Sequence, residues 1–179
     1  INDANMIGEL LEKRYGFEVT TLLDAGRTEL LDTVHEFRKK LTITDNLLIY
    51  YAGHGELDPN IDKGYWLPVD AKKYSKANWI SNADIADALK GFRANHILLV
   101  VDSCYSGTLL REITVTPKES TDRLKWIKRV GSKFSRTALT SGSSEPVVDS
   151  GGGGHSIFAR YLLKALRENN RPYFTGKEL

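Results

Sequence analysis

His96-Ile97-Leu98-Leu99-Val100-Val101-Asp102-Ser103-Cys104-Tyr105-Ser106-Gly107 decides how the rest of the chain is read. Five consecutive apolar residues, three of them β-branched, run into a polar turn that carries the single cysteine of the 179-residue sequence. A run without alternation predicts a strand covered on both faces, the habit of a central strand in a parallel α/β sheet. The polar residues begin where that strand stops, so Cys104 falls at the carboxyl edge, where open α/β folds bind ligands. Taken alone, a lone cysteine is read as a small buried hydrophobe. Another reading needs a second motif.

That motif follows Leu47-Leu48-Ile49-Tyr50-Tyr51-Ala52, the other continuous apolar run, which stops abruptly at Gly53-His54-Gly55-Glu56. Between the two runs, turn residues (Asp58-Pro59-Asn60, Leu67-Pro68-Val69-Asp70) predict a hairpin or lid over the sheet edge. Ser81 with Asp84 forms a capping box and Ile80 with Ile85 a hydrophobic staple, predicting a helix from 82 to Gly91. Strand, helix and strand in this order place the two apolar runs parallel and close. His54 and Cys104 then meet at one edge. A thiol needs a base or a lowered pKa to attack at neutral pH, and an imidazole supplies either. Gly53 and Gly55 let the backbone approach a substrate and aim an N–H at a developing oxyanion.

The flanking elements extend this pattern. Asn2 or Asp3 caps a helix with Ala4, Ile7, Leu10 and Leu11 on one face and Gly16 as terminator. Residues 17–23 alternate and read as a strand nearer the sheet edge. Thr28 caps a second helix with Leu30, Leu31, Val34, Phe37 and Leu41 on its stripe, and His35 on its solvated face. Residues 111–136 are basic, with little apolar periodicity beyond a short helix around 124–130. Thr137-Ala138-Leu139-Thr140 is a short strand, Gly151 to Gly154 a flexible loop, and Ser156 opens a last amphipathic helix. His96 begins a strand and is structural, whereas His155 is placed by a loop and competes with His54 for the role of base. The alternation predicts a parallel sheet flanked by helices in one domain.

Composition bounds the rest. A chain with 41% apolar and 27% charged residues and a formal charge of +2 is that of a soluble globular protein, with too little charge to argue for nucleic acid. One cysteine excludes an internal disulfide and fits a reducing, cytoplasmic setting. No run approaches a membrane span, and Ile1-Asn2-Asp3-Ala4 reads as neither a signal peptide nor an initiator end, so a longer chain with further domains is expected. One Cys and four scattered His do not make a zinc site, and no phosphate-binding loop or Gly-x-Ser-x-Gly elbow is present.

Tyr50-Tyr51-Ala52-Gly53-His54-Gly55 together with Val100-Val101-Asp102-Ser103-Cys104-Tyr105-Ser106-Gly107 resembles the caspase-like cysteine peptidases, in particular their metacaspase-like and bacterial branch. The histidine-to-cysteine spacing is that of the caspase signature, with Asp-Ser-Cys in place of Gln-Ala-Cys. The resemblance implies a caspase-like three-layer α/β/α sandwich with a mostly parallel sheet. Its first strand, before Asn2, is lacking here, and its carboxyl-terminal end is truncated. A large-subunit-like part (1–110), the basic linker (111–136) and a small-subunit-like part (137–179) follow from it. So do Cys104 as nucleophile, His54 as the base that protonates the leaving amine, and the N–H groups of Gly55 and Cys104 as oxyanion hole. Asp102 and Asp3 match two aspartates that line the S1 pocket, which implies protein or peptide substrates cut after Arg or Lys and self-cleavage in the basic linker. No cofactor is implied beyond calcium as an activator. An inactive caspase-like adaptor, an Asp-specific peptidase and a peptide ligase on the same dyad remain the competing expectations.

Overall fold

A computed structural model describes residues 1–109, 134–142 and 154–170. The two apolar runs become β1 (Asn46–Ala52) and β5 (His96–Asp102), which pair in parallel and in register from Asn46 opposite His96 to Ala52 opposite Asp102. Strand β6 (Ser135–Thr140) lies parallel on the other side of β5, giving the order β1-β5-β6. The stretch after β1 forms the expected hairpin. β2 (His54–Asp58) pairs antiparallel with β3 (Lys63–Leu67), and β3 with the short β4 (Ile80–Ser81).

Side chains of β5 alternate between two layers, as the strand period of two requires. Ile97, Leu99 and Val101 pack with Trp66, Ile80, Ile85, Leu89 and Phe92 beneath α2 (Arg27–Lys40) and α3 (Asn82–Lys90). Val100 packs the opposite way with Ile7, Leu11, Ala159, Leu162, Leu163 and Leu166, under α1 (Asn2–Tyr15) and α4 (Ile157–Glu168). Leu99, fully buried, marks the centre of the first layer. The result is the α/β/α sandwich that the resemblance implies.

Several local expectations stand and several need correction. The Ser81–Asp84 capping box forms in both directions, and Ile80 and Ile85 are both buried beside it. Gly16 ends α1 in the left-handed region at φ 70°, where glycine carries no Cβ penalty. The helix starts one residue earlier than the sequence suggests: Ile1 occupies the cap position, and Asn2 and Asp3 sit inside the first turn. Thr28 likewise does not cap α2. Gly26 holds that position, and the free N–H of Arg27 goes to Asp70 Oδ1 at 3.0 Å, a partner 43 residues away. Strand β6 starts at Ser135, two residues before the expected Thr137.

Residues 17–23 are not a strand. Phe17 and Val19 do turn inward onto the second layer, which explains the alternation, but Leu23 is 44% exposed and no described strand pairs with the segment. A ladder needs a neighbour, and between 17–25 and β1 lies a cavity of about 1290 Å³ instead. The same space leaves the apolar stripe of α2 half-buried, with no residue of that helix fully covered. The basic linker falls outside the described residues except at its end, as does most of the glycine loop.

Candidate active site

Parallel pairing brings the carboxyl ends of β1 and β5 level, and one further hydrogen bond carries the alignment past the strands. Gly53 N–H donates to the Asp102 carbonyl at 3.3 Å. The chain then turns into β2, and Tyr51 reaches over Gly53 to donate its hydroxyl to the His54 carbonyl at 2.9 Å. A Cβ on Gly53 would lie 2.6 Å from that hydroxyl, so the crossing requires glycine. Tyr51 is in turn stacked on Trp66 with ring centroids 4.0 Å apart, a rigid base for the turn. Burial pushes its phenol pKa well up, so it remains a proton donor throughout the physiological range.

Gly55 is the point at which the two motifs touch. A Cβ there would lie 2.2 Å from the Cys104 carbonyl oxygen and 2.5 Å from Ser103 Oγ. Only a glycine admits this approach of backbone to backbone. His54, exposed and one residue away, therefore belongs to the same surface as Cys104, which is half-buried. Beyond the cysteine, Tyr105 takes φ 58°, a left-handed conformation that is uncommon outside glycine, and reverses the chain into a 3-10 turn over Ser106–Leu109. From the other side β6 clamps the turn. Ser103 N–H donates to Ser141 Oγ at 3.1 Å, and Ser141 N–H to the Val101 carbonyl at 2.9 Å.

Asp102 and Asp3 come together through Ser156. Asp102 is 8% exposed and points to the α1/α4 side, where its Oδ2 accepts the hydroxyls of Ser156 and, at 3.4 Å, Tyr50. Asp3 Oδ2 accepts the N–H of Ser156 at 3.1 Å, and its Oδ1 is bonded to His155 Nδ1. Ser156 also caps α4, its Oγ accepting Ala159 N–H at 2.8 Å. Burial raises the Asp102 carboxyl above the usual carboxylate range and the charge of Asp3 adds to this, while hydrogen bonds from Ser156, Ser141 and Tyr50 oppose it. Burial and both aspartates push the Tyr50 phenol up strongly.

The sequence reading thus names Asp3 and Asp102 but not what joins them. Ser156 was legible only as a helix cap, and Tyr50 and Ser141 only as strand residues. His155, read as a rival base, has its Nδ1 taken by Asp3. Among the described residues no three His, Cys, Asp or Glu come together to hold a metal. No described helix is long and apolar enough to cross a membrane.

Against known proteins, the chain matches the caspase domain family, peptidase C14, over residues 1–177, and it belongs to that family. Metacaspase-1 of Cryptococcus neoformans var. neoformans serotype D is similar in two strains. Strain B-3501A gives 30% identity over 135 residues and strain JEC21 28% over 130, each over 62% of this chain. The chain matches only 29% and 28% of the length of those relatives. The crystal structure of a Geobacter sulfurreducens protein is similar in fold, with TM-score 0.60 and 19% identity, over 92% of this chain and 71% of the other. The family match and the fold agree on a caspase-type domain.

Two expectations follow from the geometry. Gly55→Ala forces the β2 start away from Cys104, and peptidase turnover is expected to drop by on the order of 100-fold while the circular dichroism spectrum is kept. The raised Asp102 carboxyl means that the folded state holds this proton more tightly than the unfolded state. Its contribution is therefore favourable in acid and lost as pH rises through the folded-state value. Asp102→Asn is expected to melt higher than wild type at neutral pH, with the gap closing toward acid, as read by thermal unfolding across pH.

Proposed function

We propose that the chain is a cysteine endopeptidase that hydrolyses peptide bonds after Arg or Lys, with Cys104 as nucleophile and His54 as its acid–base partner. The observation that supports this most is the convergence of two carboxylates, Asp3 and Asp102, on Ser156, with Asp102 two residues from a cysteine whose backbone touches Gly55. Two anions in a partly desolvated pocket repel an acidic P1 side chain and hold a cation by charge-assisted hydrogen bonds. A guanidinium can be gripped in two places, so Arg is expected to be at least as good as Lys.

In this reading His54 takes the thiol proton and the Cys104 thiolate attacks the scissile carbonyl carbon. The oxyanion is held by the N–H groups of Gly55 and Cys104, and the tetrahedral intermediate collapses as His54 returns its proton to the departing amine. Water, deprotonated by His54, then hydrolyses the thioester and regenerates the thiol. Selectivity for basic P1 residues also suits self-processing in residues 111–136, where Arg111, Lys118, Arg123, Lys125, Lys128, Arg129 and Lys133 offer P1 positions. Arg136 is a poor site, because its guanidinium donates to the carbonyls of Leu89, Phe92, Asn95 and Ser135 inside the fold.

Steady-state assays with fluorogenic peptides carrying Arg, Lys or Asp at P1 test the proposal, with and without calcium. Arg and Lys peptides are expected to be cut and the Asp peptide not. Cys104→Ala and His54→Ala should each lose on the order of 10⁴-fold or more in kcat/KM. Asp102→Ala should lose on the order of 100-fold on Arg peptides while its thiol still reacts with a small alkylating agent. Preference for Asp at P1, or undiminished Arg cleavage by Asp102→Ala, overturns the specificity. Full activity in Cys104→Ala overturns the chemistry.

A further inference from the structure

The acidic pair described above already carries a cationisable group of the chain's own. Asp3 spends both carboxylate oxygens on one dipeptide, Oδ1 on His155 Nδ1 and Oδ2 on the N–H of Ser156. The placement of His155 is built rather than incidental. Gly154, at φ 80°, turns the backbone, and Asn2 Nδ2 holds its carbonyl at 3.1 Å, which lays the imidazole back onto the first turn of α1. The side chains of His155 and Asp3 are 17% and 15% exposed, so an ion pair there is screened less than one at the open surface. The titratable groups facing this imidazole are Asp3 from α1 and, through Ser156, Asp102 from β5 and Tyr50 from β1. The carboxylate that holds His155 is thus one of the pair that would hold a substrate's P1 cation.

We infer that His155 tunes the specificity pocket: its imidazolium competes with the P1 Arg or Lys side chain for Asp3. The inference rests on the reading of Asp3 and Asp102 as the S1 pair. With neutral His155 the pocket presents two carboxylates to the incoming cation. With protonated His155 one of those charges is already neutralised, and the P1 cation must share Asp3 or displace the imidazole. Linkage is reciprocal, so a bound P1 cation must also disfavour the proton on His155 and release it. The pocket therefore binds Arg peptides more weakly in acid.

The test uses Cys104→Ala protein, which cannot turn over, and an uncleaved peptide with Arg at P1, titrated calorimetrically. At about pH 5.5 binding is expected to be about three- to tenfold weaker than at about pH 8, a change of the size of one partly shielded ion pair. Near the acid end, titrations in buffers of different ionisation enthalpy should show proton release on binding. In Cys104→Ala/His155→Gln, which keeps a hydrogen-bonding group beside Asp3, the affinity should vary less with pH and the proton release should fall, leaving only what the raised Asp102 carboxyl contributes. His155→Asn serves as a second variant should Gln disturb the fold. Absence of proton release in Cys104→Ala, or an unchanged pH dependence and release in the His155 variants, overturns the role of His155 and leaves the S1 assignment standing. An Arg peptide that binds none of these proteins at either pH, or a tighter Asp peptide, overturns the S1 assignment itself and this inference with it.

Discussion

Everything at the candidate site depends on the parallel, in-register pairing of β1 with β5. Ala52 stands opposite Asp102, and the Gly53 N–H, one residue past β1, bonds the Asp102 carbonyl. A slip of one residue would turn Asp102 to the opposite face, away from Ser156, and would carry Gly55 off Cys104. Register is held by the packing of alternate side chains into separate layers, Ile97, Leu99 and Val101 into one and Val100 into the other. The hydrophobic cores and the functional edge are thus two consequences of one pairing. The energy that fixes the edge comes from Leu99, Val100 and Val101 rather than from polar contacts among the site residues themselves.

At that edge the fold accepts local costs that it avoids elsewhere. Asp102 is buried among carboxylate and phenol neighbours, Tyr105 sits in a left-handed conformation, and Gly55 is pressed against the Cys104 carbonyl. Each is tolerated because β6 clamps Ser103 through Ser141 while α4 presents the N–H and hydroxyl of Ser156 to the two aspartates. Such concentrations of strained and desolvated groups are common where a protein does chemistry.

What the sequence discloses divides according to how far apart the interacting residues lie. The α3 capping box needs only Ser81 and Asp84, and the two central strands announce themselves by unbroken apolar runs, so these were legible. The caps of α1 and α2 were not. The donor at the start of α2 is satisfied by Asp70 rather than by Thr28, and Asp3, which reads as a cap, instead serves His155 and Ser156 from 152 and 153 residues away. Residues 17–23 show a related limit. Alternation reports one-sided burial, which Phe17 and Val19 have, but it does not report whether a strand stands alongside. The motifs around His54 and Cys104 pointed to one edge, while the links from Asp3 through Ser156 to Asp102 became visible only in three dimensions.

The central claim is that one edge of this sheet holds a nucleophilic cysteine beside an acidic P1 pocket. A crystal structure of the protein treated with a peptide chloromethyl ketone ending in Arg addresses it most directly. The account predicts a thioether between Cys104 Sγ and the inhibitor's methylene carbon with loss of chloride, the ketone oxygen beside the N–H of Gly55, and the guanidinium against Asp102. Alkylation at another residue, or a guanidinium directed into solvent away from Asp102 and Asp3, would contradict it.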